Sequence, residues 1–466
     1  MNACRPDLHY SLLMGTGNSP TEFKVKYKSE LDKNFAPVIT GLNEFLLSAD
    51  RGVGLAVEDA EGFNFRFDLR AGADAERNYF FAERAVKSLL WIVGGRRVYV
   101  AGAGADGIAA RLAKEYARGG ARAFDADFME KVYGRPFEVV ACRELPPEKR
   151  RSVRAGGKAA GCRIGFDAGG SDRKVSAVID GQVVFSEEVV WHPKLNADPD
   201  YHFRGIVSAL KTAAAKLPRV DSIGVSSAGI YINNRTRVAS LFLKVPEEKY
   251  HLARDIYIRA AREIGAGIPL TVANDGDVTA VAGGMSFNSD RVLGIAMGTS
   301  EAGGYLNAQG GLNGWLSELA FVPCDLNPDG AVDEWSGDKG TGVKYFSQDA
   351  VIKLCPAAGI PLDGQLSPAE KLKAVQELMK NGDPRAREIY RQIGVYLGYT
   401  LPFYALFYDI KYALVLGRVL SGAGGDLIVS TAEEILRGEF PELTMKIVTP
   451  DEKFKRVGQS IAASSL

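Results

Sequence analysis

Apolar positions along the chain switch between a period of two and helical spacing, and the switches mark its elements. In GVGLAVEDAEGFNFRFDL (52–69) apolar residues alternate on both sides of Glu61-Gly62, which predicts a β-hairpin. Helical spacing follows over AERAVKSLLWIV (82–93), then a strand over RRVYVAG (96–102), a helix over IAARLAKEYA (108–117) and a strand over PFEVVAC (136–142). The segment LPPEKRRSVRAGGKAAG (145–161) breaks the pattern with charge, Pro, Gly and Ala and predicts a domain boundary. Beyond it come a glycine hairpin, RIGFDAGGSDRKVSAVID (163–180), and strands SIGVSSAG (222–229), PLTVAND (269–275) and RVLGIAMG (291–298), with helices between them. A second glycine hairpin, GIAMGTSEAGGYL (294–306), precedes a helical last third. There a helix (386–409), strand IKYALVLG, glycine loop RVLSGAGG, helix (427–438) and strand TMKIVTP repeat the N-terminal succession and read as a degenerate internal repeat.

A length of 466 residues implies two or three domains. Basic and acidic residues balance at 57 each, so neither nucleic acid nor an anionic membrane is the expected partner. No apolar run reaches the roughly 20 residues that span a bilayer, and MNACRPDLHYSLLMGTGNSP carries no clear cleavage signal, which together predict a cytoplasmic protein. Cys4, Cys142, Cys162, Cys324 and Cys355 are scattered without a CxxC pair, so neither a disulfide framework nor a zinc site is expected. His9, His192, His202 and His251 read as surface or loop residues.

Glycine lets a turn aim successive N–H groups into a concavity and lets an anion approach without meeting a Cβ; hydroxyls beside the turn add donors. Each of the two glycine hairpins could be an ordinary turn, and their combination points to phosphate. Asn274 and Asp275 end a strand between them. Asp275 could take a proton from an attacking alcohol, or could simply cap a helix. Asp167 could hold a magnesium-bound water or make a local turn bond. GAGADG (102–107), with Asp125 downstream, matches a dinucleotide-binding pattern, but the antiparallel hairpin before it favours a plain strand-to-helix turn.

DAGGS (167–171), SSAG (226–229), ND (274–275) and GTSEAGG (298–304), in this order and spacing, resemble the ROK sugar kinases of the actin, Hsp70 and hexokinase superfamily. The resemblance covers about residues 161–466 and implies an α/β, two-lobed actin-like ATPase (ribonuclease H-like) fold. An additional α/β domain would occupy 1–160, with lobes at 161–285 and 286–466. It also implies phosphate contacts from Asp167, Gly169, Gly170, Ser171, Gly298, Thr299, Ser300, Gly303 and Gly304. Asp275 would be the general base, and Asn274, Asp275, Glu318 and Glu334 would bind sugar. Gly417 and Gly422 would lie at the adenosine, and Asp167 would hold Mg2+ through water.

Two departures bear on the substrate. Phe321 stands where the family has a histidine, and CDLNPDGAVDEWSGDKGTG lacks the family's zinc motif, so no zinc site is implied. The reading is an ATP- and Mg2+-dependent kinase acting on a hexose or amino sugar, with a homodimer suggested by the resemblance. An inactive sugar- or nucleotide-sensing relative and an oxidoreductase using GAGADG are the rivals. A DNA-binding repressor is disfavoured, because no helix-turn-helix or basic patch precedes residue 161.

Overall fold

Alternation along Cys162–Ala168 decides how its sheet is covered. Ile164, Phe166 and Ala168 face a core built with Val175, Trp191, Ile206, Leu210, Val225 and Tyr257, while Arg163 and Gly165 point to the opposite side. On that side a Cβ at Gly165 would lie 1.7 Å from the Ser460 carbonyl oxygen, and one at Gly224 would lie 1.8 Å from that of Ala463. Only bare backbone lets the helix Glu452–Ser464 lie so close to the sheet. Arg163 closes the contact, its guanidinium donating to the Ser464 and Leu466 carbonyls.

The computed structural model describes residues 25–28, 30–155 and 160–466. Cys4, His9, the N-terminal stretch read for a cleavage signal and residues 156–159 of the expected boundary segment lie outside the described residues. Two units make up the chain: Met1–Arg150 with Ile295–Gly303 and Trp315–Thr449, and Arg151–Gly294 with Gly304–Gly314 and Pro450–Leu466.

The second of these units holds the five-stranded sheet just described, ordered Leu270–Asn274, Ser222–Ser227, Cys162–Ala168, Asp172–Ile179, Gln182–Val190. The first three strands run parallel and the last two return antiparallel. Helices Pro199–Ala214 and Ile256–Arg262 cover one face, and Glu452–Ser464 covers the other beside Asp275–Phe287.

In the unit containing the N-terminal segment, the hairpin forms from Arg51–Glu58 and Asn64–Ala71, and the sheet continues through Arg97–Gly102 to Glu138–Cys142. The long helix starts at Ala75, seven residues before its apolar spacing becomes regular, because the Asp74 side chain caps the N–H groups of Glu76 and Arg77. A helix over Ala123–Tyr133, absent from the sequence reading, lies between two of the strands. In the same unit Pro384–Tyr404 packs on Ala423–Glu439, with Gly394 and Gly398 admitting Thr431 and Ile435.

Several expectations change here. His202 is no surface residue: it sits fully buried in helix Pro199–Ala214, with its ring nitrogens against the carbonyls of Asp198, Pro193 and Leu241. In GAGADG, Gly102 (φ +91°) is required by the Gly52 carbonyl, 2.4 Å from where its Cβ would be, and Gly104 (φ +73°) is the left-handed residue before helix Ala105–Glu115. Asp125 is not placed for a ribose; it is buried and accepts both the Lys87 ammonium and the Trp91 indole N–H. Among the described residues no helix is long and apolar enough to cross a membrane, and no cluster of three or more His, Cys, Asp or Glu side chains is placed to hold a metal directly.

Candidate functional site

Three parallel strands end in register and bring the candidate residues of one unit to one edge. Asp167 is paired across the ladder with Ser226, and Ser227 with Asn274, so Asp167, the two serines and Asn274-Asp275 form a row at the strands' carboxyl ends. The Asn274 side chain caps the following helix by accepting from the Gly276 N–H, and its amide donates to the Gly229 carbonyl. This leaves the Asp275 carboxyl at the first turn of Asp275–Phe287, where its main-chain oxygen accepts from Thr279 and Gln459.

Burial pushes the Asp275 carboxyl above the ordinary carboxylate range, against the pull of backbone N–H groups and the Lys194 ammonium. Asp167 is pushed up to about 6, chiefly by burial, with the Asp275 charge adding and a Ser226 hydrogen bond opposing. Asp277, two residues after Asp275, is pushed to about 7 by burial although it accepts from the Tyr305 N–H at 3.1 Å. Burial thus raises all three carboxyls, the direction that favours proton exchange by a carboxyl group.

The first glycine turn follows Asp167 directly. A Cβ on Gly169 would meet the Asp172 carbonyl at 2.6 Å, and one on Gly170 would meet the Lys194 ammonium at 3.1 Å. Ser171 donates to Asp172 at 3.0 Å. Lys194, exposed over the turn and electrostatically coupled to Asp275, went unnoticed in the sequence because a single lysine in a loop carries no pattern.

The second glycine turn belongs to the other unit as far as Gly303. The Gly298 N–H closes it on the Ser300 carbonyl at 3.0 Å, its own carbonyl accepts from Gln348, and Thr299 and Ser300 are exposed. Gly303 and Gly304 fall in the strand Glu301–Leu306, past the turn. Each has a packing reason to be glycine. A Cβ on Gly303 would strike the Ser317 carbonyl at 2.5 Å, and one on Gly304 the Gly276 backbone at 2.0 Å. Glu301 is buried with its carboxyl pushed up to about 8 by burial; Tyr404 donates to one of its oxygens.

Gly417 (φ +111°) lies on the Met297 backbone, where a Cβ would come within 2.3 Å of the carbonyl oxygen. Gly422 (φ +75°) is the left-handed residue before helix Ala423–Glu439 and has open space around it. Between them Arg418 donates to the Thr299 hydroxyl at 2.5 Å.

Glu318 and Phe321 are set by the helix Ala75–Ile92 of their own unit. The N–H groups of Ser317 and Glu318 donate to the carbonyls of Ile92 and Trp91, both at 2.9 Å. The Phe321 ring lies 4.2 Å from the Trp91 ring and 5.7 Å from that of Phe124. The loop that lacks the zinc motif is held by charge instead: Asp338 is bound by Arg84 (3.0 Å), Arg122 (2.8 Å) and Lys87 (3.3 Å), all buried or nearly so. These cations hold its carboxyl well below the usual carboxylate range despite its burial. Glu334, read as a sugar ligand, is exposed and ion-paired with Lys344 at 2.6 Å.

Neither known protein families nor curated proteins match the sequence. Solved structures do. A ROK hexokinase from Thermus thermophilus is 19% identical over 65% of this chain and 97% of that one, with a TM-score of 0.50. A ROK glucokinase from Streptomyces griseus, solved with glucose and AMPPNP, is 20% identical over 65% and 98% with a TM-score of 0.45. A ROK transcriptional regulator, homologous to the E. coli MLC protein, is 18% identical over 65% and 78% with a TM-score of 0.49. The likeness that reaches 0.50 nearly spans the smaller hexokinase, and the chain shares that hexokinase's α/β fold with a further third of its length added.

Proposed function

We propose that the chain transfers the terminal phosphoryl group of ATP to a hydroxyl of a hexose or amino sugar. The observation that carries this reading is the row of Asp167, Ser226, Ser227, Asn274 and Asp275 at the ends of parallel strands, with burial raising the two carboxyls. Asp275 is the general base: a carboxylate with a raised pKa accepts an alcohol proton more readily as the oxygen attacks phosphorus. Asn274, Glu318 and Glu334 orient the sugar, and the turns at Asp167–Ser171 and Gly298–Ser300 direct N–H and hydroxyl donors at phosphate oxygens.

Asp167 suits a magnesium ion held through water, since its carboxyl is crowded by the Asp275 charge and a cation would relieve that crowding. Such an ion would neutralise charge on the phosphates. Contact of the half-buried Phe321 ring with Trp91, where the family has a sugar-binding histidine, is the observation behind a second reading, a sugar-binding protein without turnover. ADP release from Mg-ATP across a panel of hexoses and N-acetylhexosamines separates the two. The kinase gives sugar-dependent release that falls about 100- to 10,000-fold in Asp275→Asn, the range expected for loss of a general base. Sugar binding without release from any member of the panel would leave the second reading.

A further inference from the structure

Among the described residues Arg418 is a cation without a counter-ion: no carboxylate lies within 4.0 Å of its guanidinium, and its side-chain partner is the Thr299 hydroxyl of the second glycine turn. Its backbone is fixed from two sides. Gly417, immediately before it, is pressed on the Met297 backbone, and the Arg418 carbonyl accepts from the Gln376 amide at 2.6 Å. Because Met297 immediately precedes the turn, this clamp holds the guanidinium against the Thr299 hydroxyl; Thr299 and Ser300 are exposed, and a Cβ on Gly298 of the same turn would meet nothing nearer than 3.9 Å.

An arginine presents several N–H donors in a planar fork, and one hydroxyl engages only one of them. The remaining donors sit beside bare backbone in a turn already suited to an anion. We infer that Arg418 is a phosphate ligand of the nucleotide, using Thr299 as its rest and its free N–H groups to bind the β- or γ-phosphate. The inference rests on the kinase reading and adds to it a side-chain cation acting on the phosphates from the loop proposed to hold adenosine.

Calorimetric titration of the full chain with adenosine, Mg-ADP and Mg-ATP tests it, comparing wild type with Arg418→Ala and Arg418→Lys. Loss of a charge-assisted bidentate contact weakens ADP and ATP by about 10- to 100-fold in the alanine variant. Adenosine binding stays unchanged and serves as the control for folding, while lysine, a point charge without the fork, restores only part of the loss. Equal ADP and ATP affinity in wild type and Arg418→Ala would overturn the inference and leave the kinase reading standing. Parallel weakening of adenosine would overturn it too, by showing that the side chain only shapes the loop. A wild-type chain that bound none of the three would remove both readings.

Discussion

Lys87→Met tests whether the ionic cluster of helix Ala75–Ile92 carries the stability of its unit. The Lys87 side chain is fully buried, and its ammonium lies 3.0 Å from both Asp125 oxygens and 3.3 Å from Asp338. Asp338 keeps Arg84 and Arg122 after the substitution, but Asp125 keeps only the Trp91 indole N–H, at 2.8 Å. At an effective dielectric of about 20, a contact of 3 Å contributes about 5 kcal/mol of Coulomb energy. Leaving the partner carboxylate buried without its cation costs about 3–5 kcal/mol in measured cases, so the two routes agree. For a large unit this lowers the melting midpoint by roughly 6–20 °C.

Thermal melts followed by near-ultraviolet circular dichroism read the effect locally, because Trp91 is buried among Phe124, Phe128 and Phe321. Adding Asp125→Asn removes the stranded charge, and the double variant should melt above Lys87→Met alone. The depressed pKa of Asp338 adds a pH signature: its stabilisation is full above the ordinary carboxylate range and is lost as pH falls toward the folded-state value. A melting midpoint for Lys87→Met within about 2 °C of wild type, less than 1 kcal/mol supplies, would refute the reasoning.

Lys194→Met should move the acid limb of the pH–rate profile to higher pH, since the ammonium lowers the Asp275 pKa and the base works only when ionised; an unmoved limb would separate Lys194 from the base. Gly304→Ala places a methyl group 2.0 Å from the Gly276 backbone and should lower stability by about 1–3 kcal/mol in denaturant titrations, whereas a neutral result would deny the close approach of strand and helix. Together with Asp275→Asn and the Arg418 series, these substitutions examine the base, the phosphates and the packing separately.

Patterned features were legible in the sequence. The alternation around Glu61-Gly62 gave a hairpin, and the small residues after 222–227 and 270–274 marked strand ends, because period-two spacing and turn chemistry are local properties. Features set by distant partners were not. Helix Ala123–Tyr133 has little segregation of apolar residues along its face, so its spacing gives no signal. Asp125 resembled a ribose ligand until Lys87, 38 residues away, supplied its partner. Phe321 read as a lost contact; only the fold reveals the Trp91 and Phe124 rings that it meets. Lys194 and Arg418 are single basic residues, and no periodicity distinguishes such a residue from the solvated lysines and arginines of any surface.

The close seat of helix Glu452–Ser464 on Gly165 and Gly224 has a consequence for the order of events on the ribosome. The sheet of that unit is translated early, between residues 162 and 274, yet the helix that covers one of its faces comes after the whole of Trp315–Thr449. The unit that includes the N-terminal segment can therefore gather all its parts first. Its partner must wait with one face of a half-built sheet uncovered, and a released chain truncated after residue 449 should yield one protease-resistant unit and one susceptible one.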